Sequence, residues 1–113
     1  MIDMPEGPTE AIDRLAGELD DVRRREAGVA VRYDRGGTVF AVREPGRLSF
    51  KLRADIVAAA LGTPGTVRSG RGVDWVELTT AVADSFVVDR ATAWFETAWR
   101  FAGEPSEPSA APH

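Results

Sequence analysis

The sequence predicts an α+β fold: one two-layer domain in which helices cover an antiparallel sheet of about five strands. Two observations lead there. Apolar residues recur at helical spacing near both ends of the chain, and between them they alternate in short runs separated by glycine-bearing turns. The chain length sets the scale: 113 residues, 43% of them hydrophobic, suffice for one modest core. The expected order is helix, three-strand meander, helix, β-hairpin, long C-terminal helix. Residues 1–8 are expected to form a flexible N-terminus, 9–102 the domain and 103–113 a disordered tail, since "AGEPSEPSAAPH" has no apolar period.

Each element has its own signal. After Thr9, an N-cap type, Ile12, Leu15, Leu19 and Val22 recur at spacings of three and four, which predicts an amphipathic helix. "GVAVRYD" alternates, with Val29, Val31 and Tyr33 on one face and Ala30, Arg32 and Asp34 on the other. Gly36-Gly37 supplies a hairpin turn, "TVFAVR" alternates again, and Glu44-Pro45-Gly46 turns into "RLSFKLR", with Leu48, Phe50 and Leu52 inward. "ADIVAAALG" predicts a short helix over Ala54–Leu61, stopped by Gly62 with Pro64 beyond it. Residues 66–69 and 73–78 predict two strands joined tightly through Gly70-Arg71-Gly72. From Asp89 as a candidate cap, Ala91, Trp94, Phe95, Ala98, Trp99 and Phe101 form one broad stripe of a final helix.

Composition narrows the chemistry. With no cysteine, disulfides, thiolate zinc sites and a cysteine nucleophile are excluded. The single histidine, His113, ends the expected tail, so imidazole acid–base chemistry and Ser-His-Asp arrangements are not expected. No His/Asp/Glu cluster has metal-ligand spacing, and no cofactor is expected. The start of the chain lacks a basic, then apolar leader, and no run approaches a membrane span, so a cytoplasmic protein without membrane contact is expected.

The net charge of −4 argues against a nucleic-acid partner, but its distribution matters more. Asp3, Glu6 and Glu10 lie in residues 1–10 and Glu104 and Glu107 in residues 104–113, stretches that carry no Lys or Arg; the intervening segment 11–103 is nearly neutral. Thirteen of the 14 bases are arginine, the side chain suited to bidentate phosphate contacts, although such a bias also follows from base composition.

The stretches "VFAVREPGRLSFKLR", "DWVEL" and "FETAWRFA", in this order of elements, resemble the MmcQ/YjbR-like small bacterial α/β domains. Related TfoX N-terminal-like and luciferase-associated domains share much of the pattern. The resemblance covers residues 10–102 and implies DNA binding by a double-wing arrangement of sheet and loops. It supplies no catalytic residue. The single lysine and acidic balance of the chain depart from the usual basic surface of that family.

Three readings of function follow. The first is a non-catalytic binding module that meets nucleic acid or an acidic protein through an outward sheet face carrying Arg32, Arg43, Arg47, Lys51 and Arg53, with Arg68 and Arg71 beside it. Tyr33, Phe40 and Phe50 point inward in this reading, which leaves the face without a stacking platform and favours backbone contact. The alternative is a small-molecule domain whose pocket, between sheet and last helix, is lined by Trp75, Trp94 and Trp99. An enzyme is the weakest, because the acid–base groups are missing: Asp74 and Glu77, three apart on a strand, point to opposite faces. Gly70-Arg71-Gly72 is too short for a phosphate loop, lacks its lysine and precedes no helix, so it reads as a turn. Asp20 and Asp21 with Arg23, Arg24 and Arg25 read as a solvated helix face. The width of the last helix's stripe, around Phe95 and Trp99, leads to an expected homodimer.

Overall fold

Pro8 takes the first position of helix α1, Pro8–Glu18, where its missing amide leaves no helical bond unmade. The protein is described here by a computed structural model covering residues 7–80 and 85–104. Gly7, not Thr9, stands at the cap of α1. Gly7 and Pro8, expected in the flexible N-terminus, form the cap and first position of α1; Gly103 and Glu104 continue the last helix as a turn, and residues 1–6 and 105–113 lie outside the described residues. Asp21, with φ of 65°, turns the chain out of α1, so Val22 opens a strand and does not extend the helix.

Four strands follow in a meander: β1 (Val22–Ala27), β2 (Ala30–Arg35), β3 (Thr38–Glu44) and β4 (Arg47–Lys51). Two-residue turns join them. Gly36 and Gly37, with φ of 58° and 89°, both adopt the left-handed conformation that a twisted hairpin demands at these positions. Pro45-Gly46 pairs a fixed negative φ with a φ of 78° at Gly46, the requirement of a type II turn. Helix α2 (Ala54–Leu61), strands β5 (Thr66–Arg68) and β6 (Trp75–Thr79) and helix α3 (Ser85–Ala102) complete the order. Helix α3 starts ahead of Asp89, which sits inside it.

The result is an α+β domain with one antiparallel sheet of six strands in the order β1-β2-β3-β4-β6-β5. The additional strand, β1, reads "VRRREA"; it is exposed along nearly its whole length at the sheet edge, so no apolar alternation marks it. Charged side chains on an edge discourage pairing with other chains.

All three helices pack on one face of the sheet, around a single core that holds Ile12 of α1, Val57 and Ala60 of α2, and Ala91, Phe95 and Ala98 of α3. Register assigns the strand residues to faces, because directly paired residues point the same way. Val31 and Tyr33, Leu48 and Phe50, and Val76 and Leu78 belong to the helix-covered face. The pairing of β2 with β3 slips between Tyr33↔Ala41 and Asp34↔Val39, leaving Phe40 as an extra residue. This bulge lets the consecutive Phe40 and Ala41 both turn toward the helices, each 1% exposed. Phe40 and Tyr33 then meet Phe95 edge-on, with ring centroids 5.1 Å apart in both pairs.

Candidate functional site

The opposite face of the sheet carries no helix. Its residues, read from register, include Arg23 and Arg25 on β1, Arg32 and Asp34 on β2, Val39, Val42 and Glu44 on β3, Arg47, Ser49 and Lys51 on β4, Trp75, Glu77 and Thr79 on β6, and Val67 on β5. The loop 69–74 closes over part of this surface. Arg71 extends from it across β6 and β4 to Glu44, placing Nη2 3.2 Å from Oε1, while Arg47 reaches the same oxygen at 3.3 Å. Burial opposes ionisation of Glu44 and is the largest single effect; the hydrogen bond from Arg71 and the charges of Arg47 and Arg71 together outweigh it and hold this carboxyl below its ordinary range. Val42 and Ser49, though on the helix-free face, are only 2% and 1% exposed.

Two shallow depressions flank Arg71. One, of about 230 Å³, is lined by Arg32, Val39, Val42, Arg71 and Trp75. The other, also about 230 Å³, is lined by Glu44, Arg47, Ser49, Glu77 and the loop. The loop itself is longer than a tight turn. Ser69 Oγ accepts the Arg71 amide at 3.2 Å, and Gly72 O accepts the Trp75 amide at 3.1 Å. These amides are spent inside the loop and do not converge on an anion, and of its two glycines only Gly72 has a positive φ, 155°.

The seven bases expected on one face divide. Arg32, Arg47, Lys51 and Arg71 share the helix-free face. Arg43 does not: the bulge at Phe40 reverses the alternation, so Arg43 pairs with Val31 and Leu48 on the helix side and reaches Asp13 of α1 at 3.4 Å. Arg53 lies past the end of β4 as the residue capping α2, where it meets Asp55 and Glu104. Arg68 pairs with the core residue Val76 and therefore stands on the helix side at the sheet edge. Val29, expected inward, is in the β1–β2 turn and exposed.

The sequence reading missed three members. Arg23 and Arg25, taken for a helix face, belong to β1 and point to the helix-free side. Trp75 pairs with Lys51 there, so the basic face does have an aromatic ring. The period-2 phase of "WVEL" held that signal, since Val76 and Leu78 inward require Trp75 outward.

The three tryptophans are not brought together. Trp75 lies across the sheet from Trp94 and Trp99, which flank the core on α3. Between sheet and α3 the space is filled by Phe95, Tyr33, Phe40 and Phe50, each 0–1% exposed. Trp99 is sealed by Arg35, whose guanidinium carbon lies 3.9 Å from the ring centroid, and it donates Nε1 to Asp20 O at 2.8 Å. The stripe from which a homodimer was expected is thus largely covered within the chain by α1 and the sheet.

A second polar cluster ties α1 to the sheet. Asp13 accepts from Tyr33 Oη at 2.6 Å, Arg24 Nε at 3.3 Å and Arg43 Nη1 at 3.4 Å. Burial first, then the hydrogen bond to Asp13 and its negative charge, push the Tyr33 phenol well above its ordinary value, so it stays neutral and donates. Among the described residues no three His, Asp or Glu side chains gather as a metal site, and no helix is long and apolar enough to cross a membrane.

Compared with protein-family models, curated proteins and solved structures, the chain matches none.

Proposed function

We propose that this domain is a non-catalytic binding module whose helix-free sheet face holds a nucleic acid. One observation carries the reading. In a chain of net charge −4, the uncovered face sets Arg23, Arg25, Arg32, Arg47, Lys51 and Arg71 against only Asp34, Glu44 and Glu77. Among the described residues, Arg23, Arg32 and Lys51 have no carboxylate within ion-pair distance, so their charge faces outward unneutralised. On the other layer acids and bases are mixed and paired, Asp13 with Arg24 and Arg43, Glu18 with Arg14 and Glu96 with Arg100. An excess of unpaired bases on one face steers a polyanion to that side of a weakly acidic protein. The resemblance to MmcQ/YjbR-like domains points to the same class of partner, and the charge argument stands without it.

The test is fluorescence anisotropy with a labelled oligonucleotide between about 50 and 200 mM salt. Binding should fall linearly on a log–log plot. Combining Arg32→Gln, Arg47→Gln and Lys51→Gln should flatten the slope by about 2–3, the share of three phosphate contacts. No association near 50 mM salt would overturn the reading, and retention only by an acidic protein would replace it.

A further inference from the structure

We propose that the nucleic acid held on this face is single-stranded, with one base seated on Trp75 beside the apolar floor of Val39 and Val42. The inference rests on the reading above and sharpens it. Trp75 pairs directly with Lys51 across β6 and β4, which brings an aromatic ring and an unpaired ammonium group side by side. The depression of about 230 Å³ next to them has Val39 and Val42 as its apolar part and Arg32 and Arg71 as its cationic rim. A base in a duplex has its ring faces covered by neighbouring bases and shows only phosphates and groove edges outward; an unstacked base has a free ring face to lay on an indole.

Trp75 is half-buried, as Trp99 is, but its ring is held less tightly. Trp99 has a guanidinium at 3.9 Å and an acceptor for Nε1. At Trp75 the Arg71 guanidinium is 5.9 Å from the ring centroid, the outer limit of such a contact, and no protein acceptor takes Nε1 among the described residues. Arg71 is held instead by Glu44. The rest of the surface suits a strand laid flat. Arg32, Val42, Ser49 and Glu77 run in one register row across four strands, with Val42 and Ser49 covered and no protruding helix to enter a groove.

The experiment compares three fluorescein-labelled probes at about 50 mM salt, each of about twelve nucleotides: oligothymidylate, an abasic deoxyribose-phosphate strand and a duplex. The oligothymidylate should bind most tightly. Trp75→Ala should weaken it by about 5- to 100-fold, leave the abasic strand and duplex unchanged, and be largely rescued by Trp75→Phe. Circular dichroism of each variant checks folding. If the abasic strand or duplex binds as tightly as oligothymidylate, or Trp75→Ala weakens all three alike, the base seat is overturned while the charged face stands. If none binds, both fall.

Discussion

Tyr33 donates a 2.6 Å hydrogen bond to Asp13, and this contact, between a fully buried phenol of β2 and a half-exposed carboxylate of α1, fastens the first helix to the sheet. Arg24 and Arg43 complete the cluster from β1 and β3, so one carboxylate gathers side chains from three neighbouring strands. The phenol's pKa is raised in the fold, first by burial and then by Asp13. In the unfolded chain it titrates near pH 10.

Stability should therefore fall above about pH 10, where the unfolded state releases a proton that the folded state keeps, by about 1.4 kcal/mol for each pH unit attributable to this group. Below that pH the contribution is fully present. Tyr33 is the single tyrosine of the chain, so phenolate absorbance should rise only with the loss of near-ultraviolet dichroism. Tyr33→Phe should cost about 1.5–3 kcal/mol at neutral pH and remove this part of the alkaline decline. A phenolate signal developing near pH 10 with the fold intact would contradict it.

Phe95 is the aromatic centre of the core, touching Tyr33 and Phe40 while Trp94 beside it is only partly buried. Phe95→Ala should cost about 3–5 kcal/mol in urea unfolding, enough to leave a domain of this size marginal. Trp94→Ala should cost less. The reverse ranking would mean that Trp94 anchors α3.

Arg71 and Glu44 latch the 69–74 loop over the sheet. Because the pair is partly solvated, Glu44→Gln should change stability by less than about 1 kcal/mol. The lowered pKa of Glu44 sets the direction with pH: its contribution is present above the unfolded carboxyl value and lost as pH falls through the folded one. The variant should also release Arg71 and shift tryptophan emission through Trp75, which the loop adjoins. An emission spectrum identical to that of the unmodified chain would show that the latch does not position the loop.

Why the fold was legible and the face only partly so comes down to a few positions. Apolar spacing in "RLSFKL" and "ADIVAAAL" reports burial directly, and β4 and α2 form where it predicts them. The turns at Gly36-Gly37 and Pro45-Gly46 announce themselves because few residues tolerate their backbone angles. An edge strand such as β1 buries little, so "VRRREA" carries no period to read. The bulge at Phe40 is set by tertiary packing against Phe95, and a single unrecognised extra residue moved Arg43 to the wrong side. Trp75 was misplaced for a different reason: large aromatics suggest core, whereas the alternation around Val76 and Leu78 turns this one to the open face.

Arg43 and Lys51 separate the two jobs that arginine and lysine do in this domain. Arg43 is on the helix side with Asp13, and Lys51 is on the open side beside Trp75 with no carboxylate partner among the described residues. Arg43→Gln should lower stability by about 0.5–1 kcal/mol and leave oligonucleotide affinity and its salt slope unchanged. Lys51→Gln should leave the urea midpoint nearly unchanged and flatten the salt slope by about 0.7–0.9, one phosphate contact. Both measurements use the same two proteins, so a folding defect cannot imitate a binding defect. Equal loss of affinity from the two substitutions would show that net charge alone, and not the helix-free face, governs association.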